Sequence, residues 1–273
     1  MAYKTLLVHV EAHPDSDLRL GFAVDLAREL DAALIGVGGG EPAYLDNPMM
    51  MDGHVDGALI QTLTDMDTAD LKEAETRFRL ATRDIGAAMW ISDRDYPDRA
   101  LEVCAAGADL IVASAQRGPR ASTAAAADLV LRTGVPVLTI PTDLPAIRTK
   151  RIVIAWKNTR EARRAVSDAL PLLIAADEVA VVRICPSKDA SESHSSLEDV
   201  VGRLKRHGIN ASPKTLLRPS EEAFDALTSF AENQLADLIV AGAYGHSRFG
   251  EWMLGGVTQD LLAHSTLPVL FSH

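Results

Sequence analysis

The second half of the chain alternates short runs of Val, Ile and Leu with longer stretches in which apolar residues recur every three or four positions. Short apolar runs are typical of buried strands, and the longer spacing is typical of amphipathic helices. Because the two kinds of segment alternate, we expect a parallel sheet with helices on both faces. The predicted strands are Arg151–Trp156, Glu178–Ile184, Ser212–Leu217, Asp237–Gly242 and Pro268–Phe271.

Helices are predicted in the gaps between these strands. The first places its apolar residues on one continuous stripe from Ala162 to Leu173, and Asn158 or Thr159 would cap its start. The last is an apolar helix over Val257–Ala263. This half of the chain therefore predicts one complete α/β domain.

The same pattern occurs twice along the chain. The sequence Ala-Asp-Leu-Ile-Val-Ala begins at Ala108 and again at Ala236, an offset of 128 residues. Pro-Val-Leu begins at Pro136 and again at Pro268, an offset of 132 residues. Repetition of a whole pattern indicates a duplicated unit. We therefore predict two tandem α/β domains, at residues 1–144 and 145–273.

Charge divides unevenly between the two halves. The chain has a formal net charge of −11, and residues 1–145 hold 12 Lys and Arg against 23 Asp and Glu, whereas residues 146–273 hold 15 of each. An acidic protein lacks the basic surface that binds a nucleic-acid backbone, so no nucleic-acid partner is expected. A phosphate-bearing ligand would meet a repulsive field in the first half and a neutral one in the second.

Hydropathy and cysteine usage predict a cytoplasmic protein with no membrane partner. The apolar runs fall short of the ~20 residues that a membrane-spanning helix needs, and Met1–Val10 lacks the apolar core of a signal peptide. The two cysteines, Cys104 and Cys185, lie in different halves without a metal-binding spacing. We expect both to be free thiols and expect no metal site.

The most informative stretch runs from Gly242 to Thr258, after the predicted fourth strand of the second domain. Five glycines fall within fifteen residues there, and a helix follows. Glycines let backbone N–H groups approach a ligand, and a helix N-terminus adds partial positive charge. Open α/β sheets bind ligands at this edge. The stretch predicts a phosphate-binding loop, and the alternative is that its glycines only shape a long surface loop.

The spacing Gly242-x2-Gly245-x9-Gly255 resembles the ATP-binding signature of the universal stress protein family, in which Ser or Thr follows the third glycine. The resemblance covers nearly the whole chain, since the strands around this loop recur in both halves. It implies a tandem member with two five-stranded parallel sheets in the order 3-2-1-4-5, whose fifth strands pack together as an intrachain pseudo-dimer. It also implies a bound ATP or AMP, with or without Mg²⁺.

The resemblance assigns Gly242, Gly245, Gly255 and Thr258 to the phosphates, and the position and chemistry of neighbouring residues extend the candidate set. Those expected in or beside the phosphate loop are Gly242, Gly245, His246, Ser247, Arg248, Gly255, Gly256, Val257 and Thr258. Those expected at the end of the first strand, near the adenine, are Ala155, Trp156, Lys157 and Asn158. Two positions depart from the family pattern, because Gly256 replaces the expected hydroxyl residue and Lys157 replaces an acid. The alternative roles are a core position for Trp156, solvent exposure for Lys157 and a helix cap for Asn158.

Three functions remain open from the sequence. The first is a stress-response module that senses a nucleotide, with no catalytic residue and at most slow ATP hydrolysis. The second is a scaffold in which both domains have lost nucleotide binding and recruit unidentified protein partners. The third is an α/β hydrolase that uses Ser247, Asp260 and His264, although the loop is one residue too long for the nucleophile motif.

Two loops of the first half also carry predictions. The loop that follows Ser114 keeps one glycine over the stretch to Arg120, so we interpret it as a copy that does not bind nucleotide. The insertion at Met49–Asp56 carries thioether, imidazole and carboxylate groups that could in principle bind a metal, but a mobile lid or partner-contacting loop is the expected role. Pairing of two chains into a homodimer is left open.

Overall fold

The protein was analysed as a computed structural model that describes residues 2–40, 57–93, 95–115, 126–141, 148–186, 194–243 and 256–273. The chain divides into two compact units. The first unit is built from Tyr3–Ser114 and Gly118–Thr133, and the second consists mainly of Gly134–His273. The predicted boundary between residues 144 and 145 lies outside the described residues.

The first unit is an α/β layer structure. Its strands are β1 (Thr5–His9), β2 (Ala33–Gly39), β3 (Ala88–Asp93) and β4 (Leu110–Ser114). Its helices are α1 (Asp15–Leu30), α2 (Gly57–Ala81), α3 (Pro97–Cys104) and α4 (Ala126–Arg132). The strands are parallel and follow the order β3-β2-β1-β4. This order matches the predicted 3-2-1-4 arrangement.

The second unit repeats this arrangement and contains further elements. Its strands are β5 (Val137–Ile140), β6 (Arg151–Ala155), β7 (Glu178–Cys185), β8 (Ala211–Leu217), β9 (Leu238–Gly242) and β10 (Val269–Ser272). Its helices are α5 (Arg160–Asp168), α6 (Leu170–Ala175), α7 (His194–Arg206), α8 (Ala223–Asn233) and α9 (Gly256–His264), with a 3-10 turn at Ser220–Glu222. The five strands predicted from the sequence are all present.

The strand order of the second unit is β5-β10-β9-β6-β7-β8. The strands from β10 to β8 are parallel, and β5 pairs with β10 in the antiparallel direction, with Leu138 opposite Leu270. The family resemblance implied that the two fifth strands pack together, and the structure has them paired. Because of it, the fifth strand of the first repeat belongs to the second compact unit.

Buried β-branched and leucine side chains explain why the central strands form. In β6, Ile152, Val153 and Ile154 are each only 1% exposed, and β9 is buried over most of its length. Strands that are covered on both faces carry continuous apolar runs of this kind. The edge strand β8 differs, since it carries Pro213, which cannot donate to a neighbouring strand.

The first helix of the second unit departs from its prediction. The apolar stripe from Ala162 to Leu173 predicts one helix, but the structure has two, α5 and α6, separated at Ala169. Pro171 is the cause, because proline lacks the N–H that would continue the helix and its ring clashes with the carbonyl one turn earlier. In α6, Pro171 lies in the first turn, where its missing N–H costs nothing.

The repeated Ala-Asp-Leu-Ile-Val sequence has a structural reason. One carboxylate oxygen of Asp237 accepts hydrogen bonds from the backbone N–H groups of Lys150 (3.0 Å) and Arg151 (2.8 Å). In the first unit, Asp109 accepts in the same way from Lys4 (2.7 Å) and Thr5 (2.9 Å). Each aspartate therefore ties the start of its own strand to the start of the first strand of its unit.

Among the described residues, every helix is either too short or too polar to cross a bilayer.

Candidate functional site

The candidate site lies at the carboxyl ends of the parallel strands of the second unit, the carboxyl edge of its sheet, where β6 and β9 end side by side. Ala155, the last residue of β6, pairs with Ala241 of β9. The connection after β6 leads to β7 on one side, and β9 lies on the other, so the strand order reverses between them. Ligands of open α/β sheets bind at such a reversal point.

Gly242 has a packing role that the sequence did not predict. A Cβ atom at this position would lie 2.5 Å from the backbone N of Ala162 and 2.6 Å from the carbonyl C of Glu161. Glycine is thus required here because the first turn of α5 packs directly on the end of β9. The prediction that Gly242 also lines a phosphate remains untested.

The turn after β6 is organised by Thr159 and Asn158. Thr159 is the N-cap of α5, and its side-chain oxygen accepts a hydrogen bond from the backbone N–H of Ala162 at 3.3 Å. Asn158 uses its side-chain oxygen differently, since that atom accepts from Arg163 Nη1 at 2.7 Å. Of the two predicted caps, Thr159 is the one observed, and Asn158 is exposed.

Trp156 lies in the core at the end of β6. Its side chain is 6% exposed, and its backbone N–H donates to Val182 O at 2.7 Å. Burial to this degree favours the packing role over stacking on a ligand ring. Its indole Nε1 is nevertheless buried without a hydrogen-bond partner in the described part of the chain. A buried N–H of this kind is a potential donor to an acceptor at the edge of the sheet.

The other described candidates lie around the turn after β6 and the start of α9. Lys157 is solvent-exposed. Gly256 begins α9, and a Cβ at this position would meet only Asp260 Oδ2, at 4.0 Å. Val257 is half-buried and Thr258 is 8% exposed. Because α9 connects two neighbouring parallel strands, its N-terminus is directed towards the carboxyl edge, where β9 ends.

Several predicted residues lie outside the described residues. They are Gly245, His246, Ser247, Arg248 and Gly255. The same holds for the Met49–Asp56 insertion and for most of the first-unit loop after Ser114. Of the hydrolase candidates, Asp260 and His264 are described, and the ring of His264 packs edge-on against Phe224 with centroids 6.4 Å apart.

The structure brings one residue to this edge that the sequence did not indicate. Glu161 is 2% exposed and lies in the first turn of α5, with its backbone against Gly242. Acids are common in the first turn of exposed helices, so its position alone gave no sign of burial. The only available signal was the glycine at the end of the neighbouring strand, which permits this close approach.

The equivalent edge of the first unit has a different chemistry. Arg19 is 1% exposed; its Nε donates to His9 O at 2.7 Å, and its Nη2 lies 3.0 Å from Glu11 Oε1. His9 Nδ1 lies 3.2 Å from the same carboxylate oxygen. Burial of Glu11 favours its neutral form, but its contacts with His9 and Arg19 outweigh burial and lower its pKa to about 2. Burial lowers the pKa of His9, so this histidine is held neutral.

A cavity of about 490 Å³ opens at this edge of the first unit. Four carboxylates line it, from Glu11, Asp67, Asp70 and Glu73. A wall with this charge repels phosphate, which agrees with the charge distribution along the sequence. In the part of the chain that the structure describes, no group of three His, Cys, Asp or Glu side chains could hold a metal ion.

The fold defines the class of protein. It is an α/β protein made of two repeated units with parallel strands, and the strands of the second unit end in a geometry typical of ligand-binding α/β sheets. Residues 148–273 match the model of the universal stress protein family. This part of the chain therefore belongs to the universal stress protein family.

Solved structures resemble the chain over nearly its full length. A universal stress protein from Archaeoglobus fulgidus DSM 4304 is 14% identical, with a TM-score of 0.72 over 98% of this chain and 97% of that one. A functionally unknown protein from Pseudomonas aeruginosa PAO1 is 15% identical, with a TM-score of 0.62 over 99% of this chain and 92% of that one. At these identities the likeness shows the fold alone. A search of curated proteins found no match.

Proposed function

We propose that the second unit binds an adenine nucleotide, ATP or AMP, where β6 and β9 end, and that the chain senses this ligand in a stress response. The observation that carries the proposal is the family match over residues 148–273, which contains the glycine spacing Gly242-x2-Gly245-x9-Gly255. The acidic cavity of the first unit supports placing the nucleotide in the second.

The described residues fit a nucleotide at three points. The exposed Lys157 offers a cation beside the end of β6. The first N–H groups of α9 offer hydrogen-bond donors and partial positive charge to an anion. The buried Nε1 of Trp156 has no partner among the described residues, so a nearby acceptor would satisfy it.

In this proposal the chain binds the nucleotide and positions it, and a bound ATP would bring Mg²⁺ with it. No residue is assigned a catalytic role, so we expect at most slow hydrolysis. The cytoplasmic location, the pairing of chains into a homodimer and the protein partners remain predictions from the sequence. To act as a sensor, the second unit must change its conformation or its exposed surface when the nucleotide binds.

The test compares two substitutions of similar size at Gly256. Both have room, since the nearest atom to a Cβ there is Asp260 Oδ2 at 4.0 Å. Gly256→Asp places a negative charge at the N-terminus of α9 and should prevent binding, whereas Gly256→Asn should retain much of it. The measurement is the thermal shift with ATP, ADP and AMP, and a ligand at 100 times its Kd should add about 2.7 kcal/mol to the wild-type stability.

A third substitution at the same position tests the departure from the family pattern. Gly256→Ser supplies the hydroxyl that the family pattern has, and one added hydrogen bond of about 1 kcal/mol should tighten binding roughly fivefold. If protein shown to be ligand-free by mass spectrometry gains no stability from any nucleotide, the scaffold function replaces this proposal.

A further inference from the structure

The cavity at the carboxyl edge of the first unit has the size of a ligand site, and the structure describes every residue that lines it. Its volume of about 490 Å³ lies within the range of protein pockets that hold small molecules. The ends of β1 and β2, the turn before α1, one side of α2 and the start of α3 form its walls. The nucleotide proposed above is assigned to the other unit, so a ligand of this cavity is a different one.

The surroundings of this cavity are negative even after the arginine partners are counted. The carboxylates that line it belong to Glu11, Asp67, Asp70 and Glu73. Arg19 Nη2 lies 3.0 Å from Glu11 Oε1. Arg77 contacts Glu73 at 2.8 Å, but it also contacts Asp17 at 2.9 Å and so divides its charge between two acids. Two arginines therefore accompany five carboxylates, and a net negative charge remains for a ligand to meet.

The carboxylates are spread along the cavity. Asp67, Asp70 and Glu73 follow one another at three-residue intervals on α2, so each lies about 4.5 Å further along the helix axis. The carboxylate of Asp67 reaches the end of β2, because a Cβ at Gly40 would lie 2.6 Å from both of its oxygens. In the part of the chain that the structure describes, no three His, Cys, Asp or Glu side chains come together closely enough to hold a metal ion. The arrangement suits a cation whose charges are separated.

Apolar side chains fill the walls between these acids. They are Val10, Ala12, Pro14, Leu71, Ala74 and Pro97. A hydrocarbon stem packs well on such a surface while its charged groups reach the neighbouring acids, as the stem of a lysine side chain does.

A buried histidine beside the wall adds a hydrogen-bonding atom that is not in use. His9 is completely buried, and its Nδ1 lies 3.2 Å from Glu11 Oε1, so the ring is directed at a residue of the cavity wall. Burial lowers the pKa of His9, which keeps the ring neutral. With its proton on Nδ1, facing the carboxylate, a neutral imidazole has an acceptor at Nε2. Among the described residues Nε2 has no hydrogen-bond partner, so an N–H donor would stabilise it.

We propose that the cavity of the first unit binds an aliphatic diamine or polyamine, with its ammonium groups on the carboxylates and its hydrocarbon stem on the apolar wall. The contrast between the two units supports this. Glu11 stands two residues after the end of β1, and Lys157 stands two residues after the end of β6. Equivalent edges of the duplicated unit thus carry opposite charges and take ligands of opposite charge.

Titration calorimetry of the full chain with spermidine, at constant ionic strength, tests the proposal. Wild type should bind one equivalent. Asp70 is exposed and tolerates substitution, so Asp70→Asn should weaken binding about fivefold, and Asp70→Lys, which reverses the charge, about tenfold or more.

Asp65→Asn and Asp65→Lys are the matched controls, since each has the same net charge as its counterpart at position 70. Asp65 is an exposed residue of the same helix but does not line the cavity, and its carboxylate accepts from Gln61 Nε2 at 2.8 Å. These variants should change the Kd by less than about twofold, because salt screens a charge outside the site. Thermal unfolding shows whether each variant is folded.

Three results would overturn the proposal. The first is that spermidine does not bind wild type. The second is that the variants at positions 65 and 70 weaken binding by equal factors, which indicates attraction to the overall charge of the protein and no defined site. The third is that Mg²⁺ alone binds in a manner that depends on Asp70, which would replace the polyamine by a metal ion. None of these results depends on whether the second unit binds a nucleotide.

Discussion

Replacing Gly242 with alanine tests the packing of α5 on the end of β9. The added Cβ would lie 2.5 to 2.9 Å from three backbone atoms of Glu161 and Ala162. Backbone atoms cannot rotate away as the end of a side chain can, so the helix itself must move by about 1 Å to reach an ordinary contact distance. The substitution therefore acts on a whole element.

The cost follows from what α5 buries. Ala162, Ala165 and Val166 are each 4% exposed or less. A shift of this size loses a quarter to a half of the dispersion energy at each contact, and overpacking of this kind costs about 3 kcal/mol. With a urea slope of about 1.5 kcal/mol per molar for a unit of this size, the unfolding midpoint should fall by about 2 M.

Urea unfolding followed by circular dichroism measures this change, and hydrogen exchange over residues 160–168 shows whether α5 is loosened. Gly202→Ala is the matched control in the same unit. Gly202 lies within α7, and a Cβ there would meet only Arg206 Nη1 at 3.7 Å. This control should gain about 0.8 kcal/mol from helix propensity. An unchanged midpoint for Gly242→Ala beside a stabilised control would refute the packing argument.

Two further predictions concern the first strands of the units. Asp237→Ala should destabilise the second unit by about 2 kcal/mol in urea unfolding, because the N–H groups of Lys150 and Arg151 lose their shared acceptor; an equal midpoint for the variant would contradict this. Glu11→Gln should cost about 3 kcal/mol at pH 7, because the pKa of Glu11 falls from 4.5 to about 2 on folding. The depressed pKa means that this stability is complete above pH 4.5 and is lost as the pH falls towards 2, so wild type and variant should converge in acid-unfolding curves; a constant difference would count against it.

The sequence predicted the strands of the second unit to within two residues at each end, because their apolar runs are continuous and are bounded by polar residues. It missed the break in the first helix, since the apolar stripe continues past Pro171 although the backbone hydrogen bonds do not. The spacing of apolar residues indicates which side chains face the core. It does not show where a proline lacks the backbone N–H that would continue the helix.

The sequence indicated where a candidate site would lie, but it did not indicate all of the residues that the fold brings there. The strand order that the family resemblance implied and the local glycine spacing both point to the carboxyl edge of the second unit as the candidate site. The burial of Glu161 depends on Gly242, a residue 81 positions away in the sequence. The acidic cavity of the first unit likewise joins Glu11 to carboxylates from α2, which no local pattern brings together.

The paired aspartates also bear on how this protein evolved from a duplicated ancestor. Asp109 and Asp237 make the same two backbone hydrogen bonds, while the loops that follow their strands have diverged in length and glycine content. The two copies therefore share the same link between the starts of their first and fourth strands, although the loops after their fourth strands differ. In a chain with two copies of one unit, the bonds that hold the strands together and the loops that follow them can therefore change independently.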